Sequence, residues 1–137
     1  MDIIFINYWA VLVAGVASMV LGMLWYGPLF GKRWMQLSGF TQADMEKAKA
    51  GGMGKTYFWA FVGALVTAYV LAHFVGYFGA DTVGRALQLA FWAWLGFVVT
   101  SSLDSVLWEG KPKELYLINI GYRLVSLAVM ALIIARW

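Results

Sequence analysis

Apolar residues dominate four stretches of the chain, Ile3–Tyr26, Tyr57–Phe78, Ala86–Trp108 and Leu115–Ala135. Each is close to the about 20 residues that a helix needs to cross a bilayer. The pattern predicts an all-α membrane protein, with one integral membrane domain over residues 1–137 and four transmembrane helices in an up-and-down bundle. Polar residues gather in the first connection, where SGFTQADMEKAKAGG reads as a short cytoplasmic helix. Thr41 is its expected N-cap with Asp44 three residues on, and Gly51-Gly52 its stop. Gly27-Pro28 is expected to end the first span. With Phe40 and Met45 on one side and Lys47 and Lys49 available to anionic headgroups, the short helix either lies on the membrane or stands in solvent.

Small residues add a second period. Ala10, Ala14, Ser18 and Gly22 recur at four-residue spacing in the first span, and Ala60, Ala64, Ala68, Ala72 and Gly76 do so in the second. Such rows let helix backbones approach closely where lipid supplies no hydrophobic drive. The first two helices therefore pack together, or one of these faces meets another subunit. A weaker echo, Leu24-Trp25-Tyr26-Gly27 against Leu107-Trp108-Glu109-Gly110, raises an internal parallel repeat, with chance similarity as the other account.

Composition narrows the class. With 63% hydrophobic and 12% charged residues, the chain has too little polar surface to cover a soluble globule. The first apolar run is too long for a signal-peptide core and lacks a positive region before it, so it is expected to be a retained span. Lys32, Arg33, Lys47, Lys49, Lys55, Lys111 and Lys113 fall in the first and last connections, with only Arg85 and Arg136 opposite. Seven against two places those loops in the cytoplasm and both termini outside. Basic residues sorted by membrane side, rather than gathered in a stripe, argue against a nucleic-acid partner. Trp25, Tyr26, Trp34, Tyr57, Trp59, Trp108 and Tyr116 suit an inner aromatic belt, and Tyr8, Trp9, Tyr77 and Trp137 an outer one. Phe91, Trp92 and Trp94 fall mid-span, where an indole N–H needs a partner, so at least one is expected to face another helix.

Two charges stand inside the apolar segments. Asp104 lies about 6 Å inside Trp108, Asn119 sits at a similar depth in the next span, and Arg123 is one turn deeper. Arg123 points back toward its helix N-terminus, so the three can meet. Together with Thr100 and Ser101, and with Ser102 and Ser105 adding hydroxyls, they form a candidate buried polar cluster. It either lines a pathway or is an interhelical ion pair that fixes the hairpin register. The ion pair is preferred, because charges that neutralise one another leave no free base.

A second polar group, Asn7, His73 and Gln88, is expected near the opposite boundary. One imidazole with no cysteine and no carboxylate at ligand spacing makes a poor metal site, and no metal or cofactor is expected. Gly51-Gly52-Met53-Gly54-Lys55-Thr56 imitates a phosphate loop, but the required first glycine falls at Lys49 and no strand precedes it. Glu109 and Glu114 flanking Lys111 and Lys113 read as a solvated charge pattern. No serine stands in a nucleophile context, and an enzyme is not expected.

NYWAVLVAGVASMVLGMLWYGPLFGKRWM, SGFTQADMEKAKAGGMGKTY and WLGFVVTSSLDSVLWEGKPKELYLINIGYRLVSL together resemble a family of small four-span bacterial membrane proteins, domain of unknown function 1761. The resemblance covers the whole chain and implies a bacterial inner-membrane location. It brings no established activity and no catalytic residues. Four short spans enclose little interior, so the expected protein is a homo-oligomer with membrane lipid as a partner. It is expected to be a channel or a transporter of a small solute or ion. The alternative is a non-catalytic structural or accessory membrane protein that binds lipid or a partner protein.

Overall fold

The computed structural model describes residues 4–137; the expected start of the first span at Ile3 lies outside them. Among the described residues there are six helices and no strand. Four are long and apolar enough to cross a membrane: α1 (Tyr8–Leu29), α4 (Gly54–Tyr77), α5 (Val83–Leu107) and α6 (Lys113–Arg136). Between α1 and α4 lie α2 (Gly31–Ser38) and α3 (Gln42–Ala50).

The four spans alternate in direction around α6, which packs against α1, α4 and α5. By contrast α4 and α5, although joined by a short turn, share few contacts. The termini-proximal half of the bundle is a dry core of Val11, Ala14, Ala68, Leu71, Ala72, Ala86, Ala90, Met130 and Ala131. Small residues let the backbones close on one another there, which is where packing energy arises when lipid is as apolar as the protein. Along α5 only Ala86 and Ala90 are buried, so most of that helix faces outward.

The two small-residue rows divide their work. Ala68 and Ala72 are buried, Ala64 is half-buried and Ala60 is exposed; Gly76 lies under Ile4, which stands 2.8 Å from where a Cβ would be. Ala10, Ala14 and Ser18 are buried and Gly22 is half-buried. Ser18 and Gly22, however, turn toward α6 rather than α4. The Ser18 hydroxyl lies 2.8 Å from that of Ser126 and 3.2 Å from that of Tyr122, and the Tyr122 hydroxyl donates to the Ser18 carbonyl at 2.7 Å. Hydrogen-bonding capacity, which a row of small residues does not announce, selects the partner helix. The contact between α1 and α4 runs through Gly15, where Leu65 approaches to 2.8 Å of a Cβ position.

Gly27-Pro28 does not end the first span. Pro28 sits inside a π-helical turn, Trp25–Leu29, in which the Phe30 N–H donates to the Trp25 carbonyl at 2.9 Å, one residue wider than an α-helical bond. Proline removes a donor, and the widened turn absorbs the loss without breaking the helix. The chain then enters α2 through Gly31, whose Cβ would lie 2.6 Å from the Tyr26 carbonyl oxygen. Only glycine fits that approach, and α2 is an element that the sequence pattern did not reveal. The repeat finds no support in the paired tryptophans: the Trp25 indole bonds to α6, while Trp108 is 84% exposed.

The short helix α3 forms as expected. Thr41 accepts from the Asp44 N–H at 3.1 Å, and the Asp44 carboxylate accepts from the Thr41 N–H at 3.0 Å. That backbone donor, assisted by the Thr41 side chain, holds the Asp44 carboxyl below the usual carboxylate range. A depressed folded value means that the cap contributes above the unfolded carboxyl value and is lost as pH falls through the folded one. The protection of α3 amides against exchange, taken relative to the intrinsic rate at each pH, is therefore expected to fall on acidification, and Asp44→Asn is expected to flatten that dependence. An acid response of equal size in the variant would assign it to another group.

Candidate functional site

A cleft of about 770 Å³ opens at the loop end of the bundle, between α1, α2, α5 and α6. Three features of the backbone position it. Trp25 and Trp94 donate their indole N–H groups to the Ile118 and Ile120 carbonyls, at 2.9 and 2.7 Å, locking α1 and α5 onto α6 on either side of Asn119. The Trp25 ring fits because position 121 is glycine; a Cβ there would stand 3.0 Å from Cζ2. Finally, α5 carries its own π-helical turn at Leu95–Val99 and a further break at Leu103, which re-aim the residues that follow.

Hydroxyls beside these breaks donate to backbone carbonyls of the same helix. Thr100 donates to Gly96, Ser101 to Phe97 and Ser105 to Ser102, at 2.6, 2.5 and 2.9 Å. Local satisfaction of this kind is what the interior of a membrane requires of a disrupted helix. Thr100 does not border the cleft, whereas Ser101, Ser102 and Ser105 do.

Asp104, Asn119 and Arg123 line the same cleft. Asn119 is half-buried, while Asp104, Arg123 and Ser101 are exposed to it within the single chain. The Tyr26 hydroxyl donates to Asn119 Oδ1 at 2.8 Å. The preferred ion pair does not form: among the described residues Asp104 and Arg123 are not within 4.0 Å of one another or of any other opposite charge. The guanidinium of Arg123 instead lies 5.5 Å from the Tyr122 ring centroid, a cation–π contact. Helix register explains the separation. Arg123 is ten residues into α6, or about 15 Å at 1.5 Å per residue, whereas Asp104 is only about 5 Å from the end of α5.

Tyr26, Trp34, Tyr116 and Glu109 also face the cleft. In the sequence the three aromatics matched a boundary belt. The available signal for a different role was their position beside Gly27-Pro28 and beside the charged hairpin. The Tyr116 hydroxyl donates to the Val99 carbonyl at 2.6 Å, clamping the π-helical turn of α5. At the rim, Arg33 of α2 grips Glu114 at the start of α6 through two bonds of 2.6 and 2.5 Å. The Glu114 carboxylate holds the Arg33 guanidinium above its usual range, and α2 is thereby tied over the cleft.

The second polar group does not converge on one point. Asn7 caps α1, accepting from the Trp9 and Ala10 N–H groups at 3.0 and 3.2 Å. His73 Nδ1–H donates to the Tyr69 carbonyl at 2.9 Å, with its ring against Tyr69 and Tyr77. Gln88 is exposed on α5. Among the described residues no three His, Cys, Asp or Glu side chains gather as they would around a metal ion.

Four apolar spans and a polar cleft define a multi-pass membrane protein of undetermined activity. The profile described as "Protein of unknown function (DUF1761)" matches residues 9–135, and the chain belongs to that family. No curated protein and no solved structure matches it.

Proposed function

We propose that the protein is an oligomeric transporter or channel for a small solute or ion, and that the cleft is its point of contact with that solute. It resides in the bacterial inner membrane, with the cleft and the basic first loop on the cytoplasmic side and both termini outside. The supporting observation is a carboxylate and a guanidinium that share one cavity without neutralising each other. An unpaired arginine deep in a spanning helix is costly, about 2.5–3.5 kcal/mol at the helix centre on insertion scales, an aspartate nearer the helix end less so, and such intramembrane charges mark functional positions. The outward-facing length of α5, including Phe91, Trp92 and Phe97, supplies a surface through which a second copy extends the path.

Reconstitution into liposomes tests this. Proton, potassium and chloride flux, read with ion-sensitive dyes, is expected for at least one ion. Asp104→Asn and Arg123→Gln are expected to lower it at least tenfold without loss of the folded oligomer on size-exclusion chromatography. Flux that is indifferent to both substitutions would remove the cleft from the pathway.

A second reading draws on the dry termini-proximal core, which offers no polar route through one copy. The protein is then an accessory component, and its basic first loop meets anionic lipid or a partner protein. A monomer without flux that still binds anionic vesicles through Lys47 and Lys49 is the result that favours it.

A further inference from the structure

Among the described residues, four of the six acidic side chains are engaged, and Glu46 on the exposed α3 is not. Asp44 caps α3, Asp81 pairs with Arg85 at 3.2 Å, Glu109 with Lys111 at 3.3 Å, and Glu114 with Arg33. Asp104 makes no side-chain hydrogen bond or ion pair among the described residues, Arg123 has no carboxylate within 4.0 Å, and the other carboxylate bordering the cleft, Glu109, is taken up by Lys111. The Asn119 amide nitrogen and the Ser102 hydroxyl also have no protein partner there, because Asn119 meets Tyr26 through its oxygen. One cleft thus offers an unmatched anion, an unmatched cation and two neutral donors.

A bare anion would satisfy Arg123 and leave Asp104 uncompensated, and a bare cation would do the reverse. In a low-dielectric setting an unpaired charge carries the larger penalty, so the fitting ligand brings both signs. Their order along the membrane normal is also set. Asp104 lies near the mouth and Arg123 deeper, with its long side chain leaning back toward the loop end. Trp34 also lines the cleft and adds an aromatic face as a further contact for a cation.

We propose that the cleft binds a small zwitterion, with a primary ammonium at Asp104 near the mouth and a phosphate at Arg123, Asn119 and Ser102 beneath it. The order is that of a phosphoethanolamine headgroup in the leaflet that the cleft opens to, with ammonium outermost, phosphate below it and acyl chains deeper. The same chemistry is carried by a free phosphoethanolamine. The proposal rests on the reading of the cleft as the solute site and names the class of solute.

Native mass spectrometry of the purified protein in detergent, with equal phosphatidylethanolamine and phosphatidylglycerol added, tests it. At least tenfold enrichment of phosphatidylethanolamine on the wild type is expected. Asp104→Asn should bring the two lipids to parity, and Arg123→Gln should release both, with melting curves confirming that each variant is folded. Displacement of the bound lipid by O-phosphoethanolamine makes the free zwitterion a sufficient ligand; enrichment without displacement assigns the lipid as the source. Parity on the wild type, with no protection by O-phosphoethanolamine, overturns the proposal. If ion flux nevertheless falls on Arg123→Gln, the transport reading survives that failure. Enrichment without any flux has the opposite meaning, since it keeps the ligand class and removes transport.

Discussion

Tyr122→Ala is expected to destabilise the bundle by about 2 kcal/mol, measured as reversible unfolding in one detergent. Large-to-alanine changes in water-soluble cores cost about 3–5 kcal/mol, part of it the transfer of apolar surface from water. Surrounded by lipid the protein forfeits little of that transfer term, but the lost packing and the cavity remain. Tyr122 is 9% exposed. Its ring lies against Trp25 and Tyr26, and its hydroxyl ties to Ser18. It thereby joins the α1–α6 seam to the residues beside the cleft. Tyr122→Phe keeps the ring and loses only the hydroxyl, so it is expected to cost about 0.6 kcal/mol, the average for interhelical hydrogen bonds in membranes. Equal losses from the two variants would mean that the hydroxyl knot, and not the ring, holds the seam.

Arg123→Leu is expected to act in the opposite direction on stability while abolishing whatever the cleft does. An arginine at the centre of a spanning helix is disfavoured by about 2.5–3.5 kcal/mol on insertion scales. Snorkelling toward the loop end and the contact with Tyr122 recover part of this. With no carboxylate paired to it, its replacement leaves no orphaned counter-charge in direct contact. A gain of about 1 kcal/mol in detergent is expected, together with at least a tenfold loss of flux or of bound zwitterion. A marked loss of stability instead would reveal an ionic partner for Arg123 outside the single chain. Asp104→Asn alone and combined with Arg123→Leu closes the cycle: additive effects are expected for two groups that do not touch.

Much of this was legible in the chain itself. The four spans followed from apolar run length, because a bilayer imposes a minimum that few soluble helices meet. Local chemistry was equally readable: Thr41 and Asp44 spell a cap whose donor and acceptor are three residues apart, and the reciprocal bonds are present. The mid-span indole that needed a partner is Trp94, satisfied by the Ile120 carbonyl. Asp104, Asn119, Arg123 and Ser101 were marked as a group, and they border one cavity.

Other features depended on which side each helix turns toward its neighbours. Gly27-Pro28 looked like a terminus, yet a proline can be accommodated by a wider turn when the surrounding helices hold the chain in place. Tyr26, Trp34 and Tyr116 carry the same composition signal whether they face headgroups or a cleft. Only packing against α6 distinguishes the two roles. Hydroxyls on α5 looked like pathway groups, but the broken backbone claims most of them.

Hydrophobicity, cap chemistry and charge placement determined by themselves that the chain is helical, that four segments suit a bilayer, and where its exceptional charges lie, because these are properties of single segments in a given solvent. The tertiary structure decided that α6 is the hub, that the small face of α1 turns to Ser126 and Tyr122, and that Asp104 and Arg123 share a cavity without forming a bond. Those outcomes depend on helix rotation and relative height. Where lipid and protein are equally apolar, both are fixed by a few close contacts and hydrogen bonds between segments distant in sequence.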